Sequence, residues 1–142
     1  MLTQAQKELH VTTSGPGCYP LTGAVTDWLA AIAAADGLLT LFCRHSSASL
    51  VIQENADPDV GRDLLDALDR LAPRDMRLYR HRTEGPDDMP AHIKAMLTGA
   101  HLAIPVRAGR PVLGTWQGVF LLEHRDRGSR RHVVCHYLGE RR

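Results

Sequence analysis

The sequence predicts a single α+β domain built on a mainly antiparallel sheet. Three observations carry that prediction. Six stretches have the short apolar or alternating pattern of strands, and three have helical apolar spacing. The two kinds are mixed without the regular β-α-β rhythm that a doubly wound parallel sheet requires. No internal repeat, low-complexity linker or shift in composition divides the chain, so residues 1–142 read as one domain.

Residues 7–13 alternate polar and β-branched side chains and read as the first strand, broken by Gly15-Pro16-Gly17. Val25, Trp28, Leu29 and Ile32 then recur at helical spacing, predicting a helix over 22–36 with Thr22 as its N-cap and Gly37 as its stop. Residues 38–44 form a continuous apolar run suited to a buried strand. Residues 47–54 alternate, as a half-buried strand does, with His45-Ser46 at the junction.

Asp57-Pro58 opens a second helix, Asp as cap and Pro at the first helical position. Val60, Leu64, Leu65, Leu68 and Leu71 form its expected buried stripe, and Pro73 ends it. Residues 74–86 are polar and irregular. A short helix follows over 89–98, with Asp88 near its start and Gly99 at its end. Strands are expected at 102–106, 118–123 and 132–138, and the basic stretch 124–132 reads as a solvated hairpin turn around Gly128.

Composition narrows the function classes. Hydrophobic residues make up 44% and charged residues 23%, an ordinary globular balance. A formal net charge of +1 disfavours a nucleic-acid binder. No stretch approaches the roughly 18 apolar residues of a membrane span, and the N-terminus lacks the pattern of a secretory signal. Cys18, Cys43 and Cys135 include no CxxC pair, which argues against a disulfide framework and a thiolate zinc site. The expected compartment is the cytoplasm, with no membrane or nucleic-acid partner.

Polar chemistry collects in three places. His45-Ser46-Ser47 is followed by the segment Glu54 to Asp59, whose Asn55 and Asp57 stand at the end of a strand, although capping alone accounts for Asp57. Asp87-Asp88 precede His92 and Lys94; acids at a helix start are stabilised by the dipole, whereas His92 has a weaker structural explanation. Gly114-Thr115-Trp116-Gln117-Gly118 precedes Glu123, and its closely spaced glycines let backbone approach a ligand or free amides for an anion. Among eight histidines there is no HExxH or HxH motif. His132 and His136 sit on one predicted strand about 13 Å apart, too far for one ion. A metal site must therefore be assembled from distant segments, with His45, His81 and His92 as candidates.

These segments, HSSASLVIQENADPDV at 45–60, His81, DDMPAHIK at 87–94 and IPVRAGRPVLGTWQGVFLLEH at 104–124, resemble the YjbQ family in order and spacing. His101 departs from the serine usual there. The resemblance implies a sandwich-like α+β fold, a homotrimer, and a secondary thiamine-phosphate synthase activity that joins a hydroxymethylpyrimidine diphosphate to a thiazole phosphate. It implies catalytic roles for His45, His92, Lys94 and Asp57. Ser46, Ser47, Asn55, Gly114, Thr115, Trp116, Gln117 and Glu123 would bind a phosphorylated small-molecule substrate. His45, His81 and His92 would hold a divalent metal, zinc or magnesium. The alternative is a metal- or small-ligand-binding protein whose synthase activity is incidental.

Overall fold

The structure is a computed structural model that describes residues 1–142. Eight strands and three α-helices follow in the order β1 (Thr3–Thr12), β2 (Gly17–Pro20), α1 (Thr22–Ala31), β3 (Ala34–Cys43), β4 (Ala48–Glu54), α2 (Pro58–Leu71), α3 (Asp88–Thr98), β5 (His101–Arg107), β6 (Arg110–Pro111), β7 (Gln117–Glu123) and β8 (Arg130–Arg141). They build a five-stranded sheet of order β1-β8-β3-β5-β6 and a three-stranded sheet of order β2-β7-β4. Every pairing is antiparallel.

Alternation along the strands decides which faces meet. Leu39, Leu41 and Cys43 of β3 and Val133, Cys135 and Tyr137 of β8 point inward from the large sheet. Leu50 of β4 and Val119 and Leu121 of β7 point inward from the small one, and Val25, Trp28 and Leu29 of α1 join the same core. Burying a Leu or Val fully contributes about 1.5–3 kcal/mol, so this shared core outweighs any single polar contact. The other face of the small sheet carries α2 and α3: Ser49 on that face hydrogen-bonds with Thr98 at the end of α3 (2.5 Å).

Three expectations need correction. The first helix stops at Ala31, because Ala33 adopts a left-handed φ of 54° and Ala34 already enters β3. Gly37 is therefore a strand residue, not a helix stop. It faces Gly139, where a Cβ would stand 2.6 Å from the Leu138 carbonyl. The second correction concerns the basic stretch. β7 and β8 lie in different sheets, so it crosses between layers instead of closing a hairpin. His124 and Arg131 are buried in that crossing.

The third concerns α2. Asp57 caps it as expected, accepting from the Asp59 N–H at 2.9 Å. Its apolar stripe is not packed, however: no residue of α2 is fully buried, and Leu64 and Leu71 are 41% and 67% exposed. Leu64, Leu65, Leu68 and Leu71 instead wall a cleft of about 650 Å³ against Val51, Phe120 and Leu122 of the small sheet. No helix is long and apolar enough to cross a membrane.

Candidate functional site: a histidine–carboxylate cluster

Asp88, on the first turn of α3, is almost fully buried and has three partners. His81 Nε2 lies 2.6 Å from its Oδ2, and His92 Nε2, one helical turn along α3, lies 3.1 Å from the same oxygen. Arg125 Nη1 donates to Oδ1 at 2.7 Å while its Nε donates to Asp87 at 2.9 Å. Burial by itself would raise the Asp88 carboxyl. The hydrogen bond from His81 and the charges of His92 and Arg125 outweigh it and hold the group below the usual carboxylate range.

The orientation of His92 decides what the cluster can hold. Its Nδ1 lies 2.8 Å from the Ser46 carbonyl oxygen, which only accepts, so Nδ1 carries the proton. The neutral ring then aims the Nε2 lone pair at a carboxylate oxygen. Two acceptors facing each other require a positive species between them: a second proton on His92 or a metal ion. A backbone carbonyl fixing one ring nitrogen while the other faces the ion is the arrangement found around metal-bound histidines. His81, Asp88 and His92 have all their ligand atoms within 4.8 Å of one another, and both rings are partly open to solvent. Two imidazoles and one carboxylate suit zinc and similar transition ions better than magnesium.

His45 does not fill the third position; Asp88 does. The Nε2 of His45 accepts the His132 backbone N–H at 2.8 Å, and its ring stacks on that of His132. Burial, with Arg131 and His132 adding to it, lowers the His45 pKa, so the neutral ring is favoured. His45 and Ser46 nevertheless share a shallow pocket of about 290 Å³ with His92, Ala95 and Met96.

Lys94 is turned away. Its buried ammonium donates to Asp69 of α2 at 2.5 Å, and Arg125 is the cation beside Asp88. Glu123 is wholly buried and accepts from Arg131, from Thr13 Oγ1 (2.6 Å), and from the backbone N–H groups of His124 and Arg125, so it offers nothing to a substrate. The Ser47 hydroxyl accepts from Arg131 Nη2 at 3.1 Å.

The glycine loop and its neighbours lie elsewhere. Ala48 pairs with Glu123 at one end of the β4–β7 ladder and Glu54 with Gln117 at the other. The ladder's length is about 20 Å at roughly 3.3 Å per residue. Asn55, Asp57, Thr115, Trp116 and Gln117 thus occupy the opposite end from Ser46 and His92. There the Asn55 N–H donates to the Trp116 carbonyl at 2.9 Å, and the Gly114 N–H is used by Gln117 Oε1 at 2.7 Å. That amide is not free for a phosphate. Trp116 is 64% exposed, and Asn55 and Asp57 line the large apolar cleft.

Comparison with known proteins agrees with this framework. A family model described as "UPF0047 protein YjbQ-like" matches residues 7–140. The chain belongs to the YjbQ family. The UPF0047 protein sll1880 of Synechocystis is 49% identical over 137 residues, covering 96% of this chain and 93% of the relative. The UPF0047 protein YjbQ of Salmonella typhimurium is 40% identical, covering 95% and 98%. A Sulfolobus solfataricus crystal structure, described as a YbjQ-like protein of unknown function, superposes with a TM-score of 0.90 at 26% identity, covering 99% of this chain and all of that one. The conserved hypothetical protein TT1486 of Thermus thermophilus gives 0.79 at 41% identity, covering 90% and 97%. The α+β fold of two antiparallel sheets is thus a YjbQ-family fold.

From residue type and spacing His81 and His92 stand out as candidates, whereas Asp88 has the sequence character of a helix-start acid and Arg125 that of a solvated turn. The spacing of Asp88 and His92, four apart on a helix, was the available signal for the first. Nothing local marks Arg125, which reaches Asp88 only through the crossing between sheets.

Proposed function

We propose that this YjbQ-family chain is a divalent-metal protein whose His81–Asp88–His92 site acts on a phosphorylated small molecule, with thiamine-phosphate synthesis as a slow, secondary reaction. The observation that carries the reading is the aim of His92: Nδ1–H committed to the Ser46 carbonyl, Nε2 facing Asp88. In the synthase reaction the thiazole nitrogen lone pair forms the new C–N bond, and the electrons of the broken C–O bond leave on pyrophosphate. No proton need be removed, so the site's task is to stabilise negative charge on the departing oxygen. A bound divalent cation would supply the compensating positive charge. Asp88, His81 and His92 would hold the ion, the Ser46 carbonyl would keep His92 aligned, and Arg125 would keep Asp88 ionised. A homotrimer is part of the same proposal. Leu38 and its partner Leu138, with Phe42 beyond the Thr40–His136 pair, are exposed on the outer face of the five-stranded sheet, and a neighbouring copy is their proposed cover.

The test measures zinc binding by dialysis and thiamine phosphate by its fluorescent oxidation product, with zinc or magnesium present. His92→Ala is expected to weaken the zinc held at this site on the order of 100-fold and to abolish product. Wild-type protein that binds no zinc refutes the metal reading, and zinc binding without product refutes the synthase reading. A second reading, metal or small-ligand binding alone, is favoured by the pocket beside His92, which at about 290 Å³ is at the small end for one ligand, let alone two.

A further inference from the structure

A second group of metal-ligating side chains lies outside that site. β1 and β8 pair antiparallel with His10 directly opposite His132, and Glu8 sits two residues before His10 on the same strand. Opposed residues and residues two apart on a strand project from the same face. The three side chains therefore form one patch on the outer face of the large sheet, at its β1 edge. Nδ1 of His10 is 2.9 Å from Nδ1 of His132, which is 3.0 Å from Oε1 of Glu8. All three ligand atoms lie within 4.8 Å of one another.

Proton accounting does not close with neutral rings. If His10 donates to His132, the accepting Nδ1 also faces a carboxylate oxygen. If His132 carries the proton, one N–H must serve both neighbours. A divalent ion satisfies all three lone pairs at once. Ligand atoms on a tetrahedral ion with bonds of about 2.0–2.1 Å stand roughly 3.3 Å apart, close to the separations seen here. His132 is held for the purpose: its backbone N–H is bound by His45 Nε2, and the two rings stack with centroids 5.6 Å apart. The competitor is Arg44, whose Nη1 lies 3.2 Å from Glu8 but whose side chain is 57% exposed. A solvent-screened pair of this kind yields readily to a coordinated ion.

We infer that Glu8, His10 and His132 form a second transition-metal site, of zinc type, that staples the edge strand β1 to β8. It does not depend on the function assigned to His81, Asp88 and His92. The experiment uses the full chain carrying His81→Ala and His92→Ala, which silences the first site and leaves the Asp88–Arg125 pair in place. Dialysis against zinc, and visible absorption with cobalt in its place, count the ions. One ion per chain is expected. His10→Ala in that background should weaken it at least 10-fold, and Arg44→Ala should tighten it. His10 is exposed, so its loss leaves the fold intact, which circular dichroism checks. No ion in the silenced background, or an ion indifferent to His10→Ala, overturns the inference. Should the silenced chain fail to fold, wild type and His10→Ala alone are compared: a difference of one zinc per chain supports the site, and none overturns it.

Discussion

Arg131→Leu tests the buried framework that aims the histidine cluster. In the native chain Arg131 Nε and Nη2 both donate to Glu123, at 2.8 and 2.5 Å, and Nη2 also reaches the Ser47 carbonyl and hydroxyl. Leucine fills much of the space and supplies no donor. Glu123, with no solvent exposure, keeps only Thr13 and two backbone N–H groups. Removing one partner of a buried pair leaves an uncompensated charge and costs about 3–5 kcal/mol. Domains of this size hold about 5–15 kcal/mol in total, and the melting temperature should fall by roughly 10–15 °C. The pH dependence gives the argument its sign. Burial tends to raise Glu123, but the bonds from Arg131 and Thr13 prevail and hold it low in the wild type. Its stabilisation is therefore present above the ordinary glutamate range and is lost as pH falls through its depressed value. In the variant, burial without Arg131 pushes Glu123 up, so protonation on acidification relieves the penalty. Urea unfolding followed by circular dichroism, at fixed protein concentration, should show a gap that is largest at pH 7 and narrows toward pH 5. Adding Glu123→Gln should recover most of the loss. A gap below about 1 kcal/mol at pH 7, or one independent of pH, refutes the reasoning.

Three further outcomes are expected. His124 is buried, and burial first, then Lys94, lowers it to about 4, so folded protein loses roughly 3 kcal/mol as pH falls from about 6.5 to 4; thermal melts across that range should flatten in His124→Gln. Lys94→Met should leave zinc affinity unchanged, because its ammonium serves Asp69 and not Asp88, while raising His124 and shrinking the same acid loss; a drop in zinc binding on titration would return Lys94 to the site. Asp57→Ala removes the α2 cap at a cost of about 1 kcal/mol, lowering the melting temperature by about 2–4 °C by calorimetry.

Much of the fold was legible because it is written in local pattern. Alternation located the long strands, Asp57-Pro58 marked the start of α2, and Gly99 marked the end of α3, whose cap there has a φ of 107°. The four residues of β2 were hidden behind Gly15-Pro16-Gly17, too short to show alternation. The α2 stripe is apolar, as its spacing predicts, but lines an open cleft, since amphipathic spacing reports which side chains avoid water and not what stands opposite them.

The site divides in the same way. By itself the sequence determined the family, the α+β class and the chemical inventory: the histidines, the Asp87-Asp88 pair and the glycine loop, all recognisable from residue type and spacing. Tertiary structure alone decided the groupings. It set Asp88 between His81 and His92, turned Lys94 to Asp69, buried Glu123 under Arg131 and placed Trp116 at the far end of a seven-residue strand from Ser46. It also brought His10 against His132, which the chain separates by 122 positions. The reason is physical. Spacing along a chain fixes which side chains share a face of one element, whereas contacts between elements depend on sheet order and register, and these are set by the burial of a whole core and not by any local motif.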